Sequence, residues 1–378
     1  ESIKPQTREH FDICRLLGIR HGIIALTKAD TVDADILELA RLETADFVAG
    51  SFLEGAPILP VSGVTGLGLA ELRNALAHLA AKIPGRDPNG VFRLPIDRSF
   101  SLRGFGTVVT GTLLSGTVRI EDEVEVYPTG RTLRVRGVQV HGGAVSAASA
   151  GQRTALNLPG IEASELRRGM ILAPPGLFRP TLSIDCAFQL LPSAPPLKHR
   201  APIHFHAGTA EVEAEIRMLR GSAPLAPGSS GYLRLLLREP LLLLPGDRFI
   251  ARMFSPVVTI GGGIVIDNAP SPLVRKSDAL DRLPQLENAT LPQRLAAWAA
   301  EEASGATLAS LASRAGVRPA DVIGAAPLAG GAHCGLHQRR RLARRQPRHG
   351  AADVHGVVAG GGEQGLGLGD LGFGHAKD

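Results

Sequence analysis

From Phe92 to Asp267 the chain is written almost entirely in short apolar runs, each closed by Gly, Pro or Asp. FRLPIDRSF (92–100), GTVVTGTLLSG (106–116), DEVEVYP (122–128), LRVRGVQVH (133–141), RTALNLPG (153–160) and GMILAPP (169–175) make a first series. LSIDCAFQLL (182–191), APIHFHAG (201–208), AEVEAEIRML (210–219), GYLRLLLREPLLLLPGDRFIARMF (231–254) and TIGGGIVID (259–267) make a second, beyond the proline-rich PPGLFRP (174–180). Runs of this length, recurring about every 8–12 residues with turn residues between them, suit a sandwich or barrel and not a helix bundle. Two antiparallel β-barrels in tandem are the economical reading, over 90–174 and 182–268.

The flanks differ. Before Ile83, helical and strand signals alternate. Thr7–Leu17, Asp33–Phe47 and LAELRNALAHLAAKI (69–83) read as helices, while HGIIALTKAD (21–30) and APILPVSG (56–63) read as buried strands ending in polar loops. Such alternation implies a parallel sheet, in which ligands sit beyond the carboxyl ends of the strands. After the barrels, LPQRLAAWAAE, TLASLASRAG and RPADVIGAA read as three short helices within 288–324, the start of a helix-turn-helix core with no visible wing. Residues 325–378 lose all periodicity, and disorder is expected there.

At 44% hydrophobic and 20% charged, the composition is that of a globular protein. No stretch approaches the roughly 20 apolar residues of a membrane span, and the first residues lack a signal-peptide layout. A cytoplasmic setting is expected. Cys14, Cys186 and Cys334 are widely spaced with no C-x-x-C, which disfavours disulfides and a closed zinc site. The net charge of +5 is uninformative about partners, because the last 54 residues hold seven basic and four acidic side chains, leaving 34 against 32 before them. The chain starts at Glu1 and its only methionines are Met170, Met218 and Met253, so it is expected to begin inside a larger protein.

Thr27-Lys28-Ala29-Asp30 ends the first apolar strand. There the Asp30 carboxylate can accept from the N1–H and exocyclic amine of guanine, a donor pair adenine lacks, while the Lys28 stem lies along the base. Ser62-Gly63-Val64 ends the next strand and can present backbone N–H groups to the purine O6. One loop alone can be a solvated strand end; two on consecutive strands point to GTP. A phosphate cradle of the G-x-x-x-x-G-K-[ST] type is absent, since none of the six lysines follows a glycine. The chain as given is therefore expected to bind GTP poorly and not to hydrolyse it.

PQTREH (5–10), LTKAD (26–30) and GFGTVVTGTLLSG (104–116) resemble the translational GTPases of the elongation factor Tu superfamily. FRLPIDRSF, AGQRTALNLPG (150–160), LRRGMIL (166–172) and SPVVTIGGGIVID (255–267) resemble its bacterial selenocysteine-specific branch more closely. The resemblance implies a multidomain chain: the C-terminal part of a P-loop-type α/β GTPase domain (1–83), two β-barrels, a partial winged-helix-like segment (288–324) and a tail. It implies GTP with Mg2+ in the intact family member, and as partners selenocysteinyl-tRNA, the ribosome and, through C-terminal domains largely absent here, an mRNA hairpin. It places Asp97, Arg98 and Arg153 in an aminoacyl pocket and Gly104, Gly106 and Gly111 where the tRNA acceptor end docks. Two guanidiniums suit a selenolate better than a neutral serine hydroxyl, and the acid can take the α-amino group. A surface ion pair and a tight hairpin are the structural alternatives for the same residues. Two other readings stay open for the whole chain: a non-hydrolysing RNA- or protein-binding barrel module, and a general aminoacyl-tRNA factor.

His204 and His206 share a strand face, but no third metal ligand accompanies them, so they read as core or surface histidines. His333-Cys334-x-x-His337 superficially suggests zinc, but its Arg- and Gly-rich surroundings read equally as a basic tail or an out-of-frame translation.

Overall fold

The computed structural model describes residues 3–325, apart from 105, 220, 222, 271–275 and 303–304. The tail beyond 325, with the His333–His337 cluster, lies outside the described residues.

Helix α1 (Pro5–Leu16) starts at a proline, whose missing N–H is no loss in a first turn. Strand β1 (Ile24–Leu26), helix α2 (Ala34–Val48), strand β2 (Ile58–Pro60) and helix α3 (Leu69–Lys82) follow. The expected strands shrink to three paired residues each, and they do run parallel, with Leu26 opposite Pro60. Asp33 caps α2 by accepting from the Ile36 amide at 2.9 Å. So narrow a sheet cannot cover the helices, and Ile36, Leu39, Leu42 and Leu76 are all more than half exposed.

The first barrel comprises β3 (Leu94–Leu102), β4 (Gly106–Thr112), β5 (Thr117–Arg119), β6 (Glu123–Tyr127), β7 (Arg131–Arg134), β8 (Gly137–Val140), β9 (Gly143–Val145), β10 (Ala147–Ser149), β11 (Arg153–Leu158) and β12 (Ile171–Ala173). Eight of these form one sheet in the order β7-β6-β12-β3-β4-β11-β8-β9, and β5 pairs with β10 as a separate ribbon. Sheet and ribbon share one core, in which Leu94, Ile96, Val109 and Leu156 meet Val118 and Ala148. The second barrel, β13 (Thr181–Leu190), β14 (Pro202–Ala207), β15 (Ala210–Met218), β16 (Ser230–Leu241), β17 (Arg248–Arg252) and β18 (Thr259–Asp267), closes fully in the order β13-β16-β15-β14-β17-β18. Closure leaves no unpaired edge, and Phe188, Phe205 and Phe249 fill the interior.

Among the described residues, α1, the first barrel and the helices that follow are each fastened to this second barrel. Leu16 of α1 enters its core cluster, and Glu9 accepts from the Thr259 hydroxyl (2.9 Å), the Thr259 amide (3.2 Å) and Arg252 (3.0 Å). The first barrel is joined through Arg93, which grips Asp247 with two 2.8 Å bonds, beside an apolar cluster of Val91, Tyr127, Phe178, Leu242 and Leu244. Burial in that cluster pushes the Tyr127 phenol up to about 12.

Four helices follow: α4 (Lys276–Glu287), α5 (Leu291–Glu301), α6 (Leu308–Ala315) and α7 (Pro319–Ala325). The sequence reading found the last three and missed α4, whose internal Pro284 argues locally against a helix. Packing overrides that preference, because Ala279, Leu283 and Leu286 are buried with Leu295, Trp298 and Leu311. The module is joined to the barrel by buried charges. Asp267 is wholly buried and bound by Arg314 (2.9 and 2.6 Å) and by Arg282. Both arginines also bind Glu301, Arg234 grips buried Asp185 at 2.7 and 3.0 Å, and Arg314 stacks on Trp298 at 4.8 Å.

Two measurements check these attachments. Removing one member of a buried, hydrogen-bonded ion pair costs about 3–5 kcal/mol, so Asp267→Ala is expected to unfasten the helical module by that amount. Urea unfolding followed by the fluorescence of Trp298, the chain's only tryptophan, reads it; an unchanged midpoint would refute the attachment. For Glu9, the Thr259 hydroxyl is the largest influence; burial opposes it, but with the Thr259 amide and Arg252 it holds the carboxyl below its ordinary 4.5. A depressed carboxyl stabilises the fold above its unfolded pKa, and that gain disappears as pH falls through the folded value. Protection of the α1 amides, taken relative to the intrinsic exchange rate at each pH, is therefore expected to fall below about pH 4.3, and Glu9→Gln to abolish that acid dependence.

Candidate functional site

Two sites can be built from the sequence-predicted residues. In the α/β segment, the β1–β2 pairing continues into the loops: the Val61 amide donates to Leu26 O (2.9 Å) and the Ala29 amide to Val61 O (3.2 Å). These bonds set the Thr27–Asp30 loop directly beside the Ser62–Val64 loop. Lys28 takes a left-handed conformation, φ 59°, which lifts the loop away from the strand direction. The Asp30 side chain is exposed and has no hydrogen bond or ion pair among the described residues. Ser62 is buried, and its hydroxyl oxygen accepts from the Val64 and Thr65 amides at 3.1 Å each. Val64 therefore has no amide to spare for a ligand, contrary to the sequence reading. Within Ser62–Val64, where the Ser62 amide donates to Leu67 O, the Gly63 amide is the one left free. A free carboxylate beside a free amide fits the Watson–Crick edge of guanine. Nothing in these loops fits a triphosphate or its magnesium.

The second site lies on the outer face of the first barrel. A β-bulge falls between Ile96 and Arg98, so that Asp97 is an extra residue in β3 while Ile96 faces Gly111 and Arg98 faces Thr110 across β4. Bulges re-aim side chains, and this one sends Asp97 toward β11. Asp97 accepts from the Thr110 hydroxyl at 2.6 Å and is held by both terminal nitrogens of Arg153, one of them at 3.1 Å. The Asp97 side chain is 17% exposed and that of Arg153 53%. Arg98, exposed and directly opposite Thr110, has no polar partner among the described residues. The three residues expected together are thus on one face, but unequally engaged: Asp97 and Arg153 form an ion pair, and Arg98 alone offers a free guanidinium.

About four residues further along β3, roughly 13 Å by strand rise, is a depression of about 530 Å³ lined by Ser101, Gly106, Thr107, Arg131, Gly160, Ile161, Glu162 and Glu165. Thr107 ties its floor by donating to Ile161 O at 2.5 Å, and Arg131 bridges the rim to Glu165 at 2.6 Å. Of the three glycines expected to dock an acceptor end, Gly106 lines this depression, and Gly104 and Gly106 have φ of +79° and +83° with open space where a Cβ would stand. Gly111 differs: a Cβ there would lie 2.2 Å from Pro95 O, so its role is to let β3 approach β4. Thr110, Arg131 and Glu165 escaped the sequence reading; pairing β3 with β4 in register exposes Thr110, whereas nothing local marks the other two.

His204 and His206 lie on one barrel face with Glu211 at 3.7 and 3.9 Å, and His204 packs on Phe254 at 4.0 Å. No group of three metal-ligating side chains is found among the described residues, and no described helix is long and apolar enough to cross a membrane.

Comparison with known proteins assigns the α/β segment and the two barrels. Residues 1–82 match the elongation factor Tu GTP binding domain and residues 106–173 match elongation factor Tu domain 2. These are domains of the elongation factor Tu superfamily. Residues 185–272 match the β-barrel domain of selenocysteine-specific elongation factors. The selenocysteine-specific elongation factor of Desulfomicrobium baculatum is 46% identical over 291 residues, 77% of this chain and 46% of that one. That of Haemophilus influenzae is 35% identical over 302 residues, 78% and 47% respectively. Among solved structures, a bacterial selenocysteine-specific elongation factor, EF-Sec, superposes with a TM-score of 0.74 at 28% identity, covering 84% of this chain and 51% of that one. SelB of Methanococcus maripaludis, in complex with the GTP analogue GppNHp, gives 0.63 at 25% identity, covering 71% and 64%. The chain belongs to the selenocysteine-specific elongation factor family, and it spans about half the length of the curated relatives it matches.

Proposed function

We propose that this chain carries the part of a selenocysteine-delivery factor that reads the charged tRNA end, the first barrel recognising selenocysteinyl-tRNA for transfer to the ribosome. The observation that carries the reading is the unpartnered Arg98 guanidinium beside the Asp97–Arg153 pair on the outer face of β3, β4 and β11. A selenol ionises readily, so near neutral pH its side chain is an anion and a guanidinium gives it charge-assisted hydrogen bonds. A serine hydroxyl on the same tRNA gains only a neutral bond. Asp97, in turn, suits the α-ammonium, and the depression at Gly106 has room for the terminal nucleoside of the acceptor end.

Hydrogen bonds to charged groups contribute about 1.5–3 kcal/mol. Arg98→Ala is therefore expected to lower the preference for selenocysteinyl-tRNA over its seryl form about tenfold or more, measured by competition binding at fixed salt. An unchanged preference would move the selenium-reading site elsewhere.

In the α/β segment, Asp30, Lys28 and the Gly63 amide hold the guanine of GTP in this reading. GTP and its Mg2+ support delivery in the family, and the phosphate end is where a nucleotide site of this kind gathers its strongest contacts. With no lysine following a glycine in the sequence, the chain as it stands is read as a weak GTP binder that does not hydrolyse the nucleotide. Titration with a fluorescent GTP analogue is expected to show no saturation in the low micromolar range; tight, magnesium-dependent binding would overturn this.

A further inference from the structure

We propose that the Asp97–Arg153 ion pair is a partner-exchange gate, opened by an aminoacyl group only when it presents an ammonium to Asp97 and an anionic side chain to Arg153 together. The inference rests on the aminoacyl-pocket reading above and adds how that pocket rejects the wrong charge pattern.

In the resting structure both oxygens of Asp97 are occupied, Oδ1 by the Thr110 hydroxyl and by Arg153, and Oδ2 by Arg153. Three of the four lone-pair directions are taken, and an ammonium entering by the fourth, on Oδ2, lies against the Arg153 guanidinium, whose like charge opposes it until Arg153 withdraws. Thr110 and Arg153 are not equally displaceable. Thr110 belongs to the strand and is half-buried, whereas Arg153 reaches in on a flexible stem with 53% of its side chain exposed. Arg153 can therefore swing out and be solvated at small cost. Asp97, at 17% exposure, cannot be left alone so cheaply, because a carboxylate largely withdrawn from water needs a cation or further donors. An ammonium supplied by the ligand meets that need, and the Thr110 bond keeps the carboxylate aimed while the cations change places.

The released Arg153 then lies on the face that carries Arg98, whose guanidinium has no partner among the described residues. A ligand with an anionic side chain meets two guanidiniums there; one with a neutral side chain leaves Arg153 without a counter-ion. Conversely, an anionic ligand without an ammonium finds Arg153 still neutralised by Asp97. Each ligand charge thus makes the other effective, and selectivity exceeds what either contact supplies alone.

The test is a cycle on the ligand, with the full chain unaltered. Four stable amide-linked 3′-acyl adenosines are compared under reducing conditions: the selenocysteinyl and seryl forms, and the two 2-hydroxy-acid counterparts in which a hydroxyl replaces the ammonium. Dissociation constants come from chemical-shift titration. Each single replacement is expected to lose nearly all the affinity that the double replacement loses, a coupling of about tenfold, which corresponds to about 1.4 kcal/mol. In Asp97→Asn, which cannot hold either cation by charge, the coupling is expected to fall below about twofold. Additive losses in the unaltered chain with the selenium preference intact, or undiminished coupling in Asp97→Asn, would overturn the exchange and leave the pocket reading standing. Indifference to both selenium and ammonium, or no binding of any of the four, would overturn the pocket reading and the exchange with it.

Discussion

The closed six-stranded barrel is the constraint on which the remaining parts depend. Closure makes it the one sheet among the described residues with no unsatisfied edge, and α1, the first barrel and the helices are each attached to it by an arginine–carboxylate clasp beside apolar contacts: Glu9 with Arg252 for α1, Arg93 with Asp247 for the first barrel, and Arg314 and Arg282 with Asp267 for the helices. Two of the barrel-side partners, Arg252 and Asp267, end their strands, and Asp247 immediately precedes β17. Strand ends are where a barrel can offer charged groups without breaking its ladder. Apolar contacts accompany each clasp: Leu16 for α1, Val91 with Leu242 and Leu244 for the first barrel, and Ile266 with Ala279 and Leu283 for the helices.

The clasps differ physically. Asp267 is wholly buried, and burial alone would raise its pKa, yet the bonds and charges of Arg314 and Arg282 outweigh it and leave the carboxyl lower than usual. Asp185, its neighbour, is pushed the other way: burial is the largest influence there and exceeds what Arg234 returns. The helical attachment is therefore a balanced six-member cluster, with three acids and three arginines, and deleting one member strands another. By contrast the Arg41–Glu38 pair on α2 is open to water on both sides and belongs to the class of surface pairs that contribute little.

Much of this was legible in the sequence. The turn-punctuated runs mark the barrels, and the helical spacings mark α1, α2, α3, α5, α6 and α7 to within a few residues. Where the reading fell short, the decisive information was non-local. Pro284 argues against α4 until the buried faces of α5 and α6 are in place to receive it. The adjacency of Asp97 and Arg98 draws attention to that dipeptide, yet adjacent residues on a regular strand point to opposite faces. Only the bulge, a matter of register against β4, sends Asp97 across to Arg153, 56 positions away in sequence. Likewise the hydroxyl of Ser62 occupies the Val64 amide, a local capping arrangement that a strand-then-loop reading leaves out.

The aminoacyl pocket proposed on the outer face of β3, β4 and β11 carries a charge whose consequence, on that proposal, is independent of exact contacts. Asp97, Arg98 and Arg153 together carry a net charge of +1. A seryl ester with its protonated α-amino group is itself a cation, whereas a selenocysteinyl ester with an ionised side chain is neutral overall. The face therefore repels the first as a whole and leaves the second unopposed. Two unit charges 4 Å apart interact by about 1 kcal/mol in water, and more where solvent is partly excluded. Asp97 alone would attract both esters through the ammonium; the two arginines alone would attract the selenolate but repel every α-amino group. Only the combination of one acid and two bases keeps the amino group while weighing the side chain's charge.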